Sequence, residues 1–421
     1  MAKTVYILGA GASHAYDRSI YGVRPPLARD FFKAYHELPT TAPELDVGGF
    51  EVRVGAIVNF VRDHYDIPPH AFYMFDEDIE QFLVRLDDVI EDFKNKARKR
   101  GGLKGKDVGD LWEAQRARFD LLLLFSRVLI DTTDGQPCPY HGLLAANLAP
   151  GDVVIDFNWD TLVDRALYAN DRWFPDTGYG IGFDAIMDGE WRVPNNGRAS
   201  DWDLLKLHGS INWLISYPGL DPSTGLELSH LPLDRYHDKF CYVAIDGQPH
   251  FGCREVLMNP LVPPKRDDGY MSITANMIID PDTIRYRPEI RTFGDYTPFA
   301  KLASLIIPPS HRKNYDLPGQ VFEQLWPKAL RSLIEADELF VCGYRLPETD
   351  ERPRRLLQEA AAQRDRPLRI GLVTPHPESM QQNLSLLLGD AKAEIWHAAD
   401  SFEKFVAPHT YGLVIPGPAL E

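Results

Sequence analysis

Short apolar runs that end in a glycine or polar turn and pass directly into a helical pattern recur at both ends of this 421-residue chain. Near the start, "TVYIL" meets "GAGAS". At residues 153–167, "VVIDF" meets "NWDTLVDRAL". Near the end, "ELFVC" and "LRIGLV" each precede a turn and a further helical stretch. A strand exposed on one face alternates apolar and polar residues, whereas a strand covered on both faces reads as a continuous run of Val, Ile and Leu. Strands of the second kind, alternating with helices, imply parallel pairing through crossover connections. The expected fold is α/β, a Rossmann-like parallel sheet with helices on both faces.

Two stretches depart from that alternation. Residues 40–145 read as a large helical insertion, because "DEDIEQFLVRLDDVIEDFKNKARK" and "DLWEAQRARFDLLLLFSRVLID" are long and amphipathic. Residues 216–300 are rich in proline, glycine and aromatics and read as an insertion of loops and short strands. No repeat or low-complexity linker divides the chain, so residues 1–421 are expected to form a single domain.

A hydrophobic content of 44% with 25% charged residues fits a globular core. The net charge of −16 repels nucleic-acid phosphates, and no direct nucleic-acid contact is expected. The basic stretch "KNKARKRGGLKGK", residues 94–106, is a local exception. It reads either as a solvated helix end and loop or as a contact for a partner or nucleic acid. The four cysteines, Cys138, Cys241, Cys253 and Cys342, form no Cys-x-x-Cys pair, so no metal site is expected. Few cysteines in a long chain suit a reducing compartment. The first apolar run is of strand length and follows no charged leader, and no segment approaches the ~18 apolar residues of a membrane span. A cytoplasmic protein without membrane contact is the expectation.

The chemistry concentrates at strand ends, where open α/β sheets bind their ligands. In "LGAGAS", Gly9 and Gly11 permit a tight turn and close backbone approach. The turn reads as a phosphate cradle at a helix start or as a strand-to-helix turn without a ligand. The third glycine of a dinucleotide fingerprint is replaced by His14, and the acid expected about 20 positions on has only Asp30 as a candidate, which argues against a hydride-transfer domain. In "DFNWDT", Asp160 or Thr161 could cap the next helix, while Asn158 offers two donors and an acceptor suited to ribose hydroxyls. Asp160 could also accept from a carboxamide. In "KLHGS", His208 follows an apolar strand and reads as a structural residue or a general base.

"LGAGAS", "DFNWDTLVDRAL", "KLHGSINWL", "GYRLPETD" and "VTPHPE", in that order across residues 5–389, resemble the sirtuin-like family, most closely its bacterial NAD-consuming branch. The resemblance implies NAD as substrate, with Gly9, Ala10, Gly11 and Ser13 at the pyrophosphate. It implies Asn158 and Asp160 at the nicotinamide end, His208 as the catalytic base, Gly343 and Tyr344 at the far side of the cofactor, and Thr374 near the adenosine. It further implies an NAD hydrolase acting as a toxic effector of anti-phage defence. Such an effector would be restrained by homo-oligomerisation or by a partner, a HerA-type ATPase first and an Argonaute-type protein second. The chain departs from the family at Trp159, where a smaller apolar residue or tyrosine is common, and at Arg345, where serine is common. It lacks the paired zinc cysteines of the deacetylases. An ADP-ribosyltransferase or cyclase, and a catalytically silent subunit that binds NAD or ADP-ribose, are the alternatives.

Overall fold

The computed structural model describes residues 3–39, 54–101, 105–183, 185–188, 190–195, 197–216, 241–244, 302–307, 319–347, 350–389 and 392–407. Its strands are β1 (Thr4–Leu8), β2 (Val153–Asp156), β3 (Ala185–Asp188), β4 (Glu190–Arg192), β5 (Asp203–Lys206), β6 (Gly209–Ser216), β7 (Cys241–Ala244), β8 (Leu302–Ile306), β9 (Glu338–Cys342), β10 (Leu368–Val373) and β11 (Ala393–Ala399). The main sheet has six strands in the order β11-β10-β9-β1-β2-β5, and every pairing in it is parallel. The α/β fold expected from the apolar runs is therefore present. β2 is buried along its whole length, as a strand covered on both faces must be.

The strand order sets the location of any ligand site. From β1 the chain adds β2 and then β5 on one flank. It later returns to the other flank with β9, β10 and β11. The order reverses at β1 and β9, so the connections leaving their carboxyl ends diverge, and a crevice opens there.

Helices cover the sheet on both faces. They are α1 (Ala10–His14), α2 (Phe31–Glu37), α3 (Gly55–Tyr65), α4 (Ile79–Arg100), α5 (Lys106–Thr133), α6 (Pro139–Asn147), α7 (Leu162–Tyr168), α8 (Pro175–Gly178), α9 (Gly319–Glu335), α10 (Glu351–Ala362), α11 (Pro377–Leu388) and α12 (Phe402–Val406). α6 touches α7 and α12, while α9 touches α10, which touches α11. The main core joins both groups to the sheet through residues such as Leu144, Val154, Leu325 and Leu357.

The helical stretch builds a second core. Phe31 and Phe32 of α2 join Phe60 of α3, Phe82 of α4 and Phe125 of α5 in one buried cluster. The Phe32 ring lies 4.7 Å from Phe75 and 5.3 Å from Phe82, both edge-on, the geometry favoured by aromatic quadrupoles. α4 starts where the Asp78 side chain accepts from the Glu80 N–H at 2.8 Å, and it stops at Gly101 with φ +71°. The layer thus recruits α2 from before residue 40, while α6 packs on the sheet core instead.

A smaller sheet has the order β4-β3-β7-β6-β8. Of residues 216–300, only Ser216 and Cys241–Ala244 are described; the rest of that expected insertion lies outside the described residues. No helix among the described residues is long and apolar enough to cross a membrane.

His141 of α6 gives the fold a pH dependence. It is buried, its ring is 5.0 Å from that of Phe402, and its Nδ1 is 3.1 Å from Cys138 Sγ. Burial depresses the imidazole from 6.5 to about 4. A depressed histidine contributes its stability in full above the unfolded value and loses it as pH falls to the folded value. The wild-type Tm should therefore fall between pH 6.5 and 4 more steeply than that of His141→Asn. A gap between the two melting curves that stays constant across this window would contradict the assignment.

Candidate functional site

Four strand ends meet at the crevice, and backbone bonds carry their register past the last strand residue. Gly9 N–H donates to Cys342 O, Phe157 N–H to Leu8 O, Leu207 N–H to Asp156 O and Gly343 N–H to Val373 O, each at 3.0 Å. The turns after β1, β2, β5 and β9 are thereby fixed relative to one another. The cleft they border is lined by Gly9, Ala10, Ser13, Asn158, Asp160, His208, Gly343 and Tyr344, eight of the ten residues singled out in the sequence. The wall from the helical layer and the segment before it is mainly apolar, with Pro25, Leu27, Phe31, Phe125 and Leu129, and carries one carboxylate, Glu80 of α4. One side thus suits a flat ring and the other a hydroxylated sugar.

Gly11 and Thr374 are not among the residues lining the cleft. Gly11 packs against the turn after β9. Its N–H donates to Gly343 O at 3.0 Å, and a Cβ on it would stand 2.8 Å from Gly343 Cα. A Cβ on Gly9 would stand 2.6 Å from Tyr344 Cα. Gly343 itself has φ +64° and lies so close that its own Cβ would meet Ala12 N at 2.5 Å. The close approach that the glycines permit is between two turns of the protein, and the Gly11 donor is already engaged. Thr374 follows β10, one strand further out, where its N–H donates to Ala399 O at 2.9 Å.

Beneath the cleft lies a buried ionic network. Lys206, fully buried at the end of β5, donates to Asp156 Oδ2 at 2.8 Å, Asp160 O at 2.7 Å and Asp164 Oδ2 at 3.1 Å. Burial disfavours its ammonium, but Asp156, Asp164 and Asp160 together outweigh burial and raise its pKa. Burial pushes the Asp156 carboxyl up to about 7, against the opposing pull of Lys206. Tyr179 OH donates to Asp164 Oδ1 at 2.5 Å, and Asn212 Nδ2 donates to Tyr179 OH at 3.1 Å.

This network shapes the polar wall. Asp160 accepts from Leu162 N–H at 3.0 Å, capping α7, and from Ser13 Oγ at 2.6 Å. Both of its oxygens hold the scaffold together. The Ser13 hydroxyl proton is thereby committed to Asp160, while both side chains line the cleft. Asn158 donates through Nδ2 to Gly9 O at 3.0 Å, which fixes the amide plane and leaves its oxygen as the acceptor end. Trp159 Nε1 donates to His208 O at 3.1 Å, and its ring lies 5.3 Å from Phe125. The indole thus ties the histidine backbone to the helical layer. Phe157 lies 4.9 Å from the His208 ring and stacks on Tyr344 at 4.3 Å.

Several site residues were not singled out in the sequence. His208 Nε2 is 3.5 Å from Asp350 Oδ1, and Tyr344 OH donates to Asp350 Oδ2 at 2.6 Å. Asp350 closes the stretch "GYRLPETD", so the motif that places Tyr344 also carries it. Lys206 had a signal too, a cation inside the apolar run "DLLKL" whose register partner is Asp156. Arg345, noted in the sequence only as a departure from the resembled pattern, lines the cleft rim and supplies a cation there. Burial pushes the Cys342 thiol up and raises Cys138 to about 11, so neither is a thiolate near neutrality. Among the described residues no group of three or more His, Cys, Asp or Glu side chains is arranged to hold a metal ion.

No family model matches the chain, and no curated protein matches it.

Removing one partner of a buried ion network leaves the others uncompensated. Lys206→Met should therefore lower the unfolding free energy by about 3–5 kcal/mol in urea denaturation. An exposed control, Lys404→Met, which breaks only a surface pair with Asp400, should change it by less than about 1 kcal/mol. Equal effects of the two substitutions would contradict the network's structural role.

Proposed function

We propose that the cleft binds NAD and hydrolyses its nicotinamide–ribose bond, giving nicotinamide and ADP-ribose. One observation carries the reading: Asn158 and His208, from the ends of two neighbouring strands, border the same cleft as the Gly9 turn, at the point where the strand order reverses. The order and spacing of motifs resembling the sirtuin-like NAD-consuming branch supply the substrate class. The division of the cleft into an apolar aromatic wall and a polar wall agrees with a nicotinamide ring joined to a ribose.

The chemistry asked of the protein is modest. Water oxygen attacks C1′ of the ribose, the C1′–N bond breaks, and its electron pair neutralises the pyridinium nitrogen. Nicotinamide leaves as a neutral molecule, so no strong acid is required. The transition state resembles an oxocarbenium ion, as in glycoside hydrolysis. Asn158, its amide pinned by Gly9, orients a ribose hydroxyl or the attacking water. His208 accepts the proton that the water releases, a contribution of about 10²–10⁴ in rate. Asp160 and Ser13 act by holding Asn158's loop against the glycine turn. Arg345 at the rim meets the charge of the pyrophosphate, which runs over the turn of Gly9, Ala10 and Ser13 on the same cleft.

The same resemblance extends the proposal to a toxic effector of anti-phage defence, restrained by self-association or by a HerA-type ATPase, with an Argonaute-type protein as the second candidate partner. Incubation of the purified chain with NAD should release nicotinamide and ADP-ribose in equal amounts. Asn158→Ala and His208→Ala should each slow release by at least about 10²-fold. Their Tm should stay close to that of wild type, because one lost hydrogen bond costs only about 1 kcal/mol. A cyclic or transferred ADP-ribose product would replace hydrolysis with cyclisation or transfer. Binding without cleavage, with or without a partner, would replace it with a silent NAD-binding subunit.

A further inference from the structure

Asp350 stands at the N-cap of α10, a position where aspartate ordinarily accepts from the first-turn N–H groups of its helix. Its side chain makes no such bond. The carboxylate instead points across to the cleft, where Oδ2 accepts from Tyr344 OH at 2.6 Å and Oδ1 lies 3.5 Å from His208 Nε2. Asp350 and His208 are both buried. The Tyr344 ring that steadies the carboxylate is stacked on Phe157, and Phe157 in turn packs against the imidazole. Diverting an N-cap aspartate forgoes the stabilisation that a capped first turn would gain, which calls for another use of the carboxylate.

We propose that Asp350 is a positioning residue for His208, with Tyr344 holding the carboxylate in place. It fixes the plane of the imidazole and balances the positive charge that the ring takes on when it accepts a proton. The proton stays on the ring and is returned to solvent, and Asp350 remains a carboxylate throughout, as in other orienting aspartates. The role of His208 as proton acceptor rests on the NAD-cleavage reading above. The clamp itself is a property of the ring and its two neighbours.

Asp350→Asn keeps the shape and removes the charge. It should lower kcat for NAD cleavage by about 10- to 10²-fold with KM changed by less than about twofold, the pattern of an interaction made chiefly in the transition state. Tyr344→Phe, which keeps the stacked ring and loses the hydroxyl, should give a smaller fall in kcat of the same kind. Equal kcat in wild type and Asp350→Asn would overturn the proposal. A second measurement needs no substrate. The ring nitrogen NMR signals of His208, identified by their disappearance in His208→Gln, should move in Asp350→Asn and in Tyr344→Phe. Unchanged signals would overturn the clamp whatever the substrate proves to be. Moved signals in a chain that leaves NAD intact would support the clamp and overturn the NAD-cleavage reading alone.

Discussion

The whole site hangs on one buried ammonium. Lys206 ends β5 and binds the end of β2 through Asp156, the following loop through the Asp160 carbonyl, and α7 through Asp164. A full charge inside a protein is costly unless it is paired and hydrogen-bonded, and here three bonds in one direction each tie a different segment. The loop between β2 and α7 cannot shift without leaving Lys206 uncompensated. Asn158 and Trp159 lie on that loop, and His208 lies two residues beyond Lys206, so the network fixes the spacing between the amide and the imidazole.

A second constraint acts across the point of strand reversal. The turn after β1 and the turn after β9 are packed so closely that Gly9, Gly11 and Gly343 have no room for a Cβ. Rigid contact at that point converts two flexible turns into one floor for the cleft. The helical layer then supplies the roof. Trp159 joins floor and roof by bonding to the His208 carbonyl and packing against Phe125. The indole of Trp159 thus fastens the helical layer to the sheet.

Much of the sheet was legible because strands buried on both faces must be apolar throughout, and because glycine and polar clusters mark where each strand stops. The polar wall was legible because Asn158 and His208 follow apolar runs closely, where a polar side chain stands out. Less was legible where the answer depends on tertiary placement. A glycine signals close approach but not what approaches, and at Gly11 the structure brings in Gly343. Asp160 and Ser13 signal hydrogen bonding, yet they bond each other. A helical period reveals that Phe31 and Phe125 face something apolar without revealing that the same face borders the cleft. Asp350 is only the last residue of "GYRLPETD" in the sequence, and the structure alone brings His208 to its carboxylate.

On the proposed function, a nicotinamide ribose sits between Asn158 and His208 at the point of strand reversal. The most direct measurement is a crystal structure of the His208→Ala protein soaked with NAD. The nicotinamide ring should lie against Phe31 and Phe125, a ribose hydroxyl within hydrogen-bond distance of the Asn158 amide, and the pyrophosphate toward Arg345. NAD bound away from this cleft, or with its adenosine rather than its nicotinamide ribose beside Asn158, would contradict that proposal.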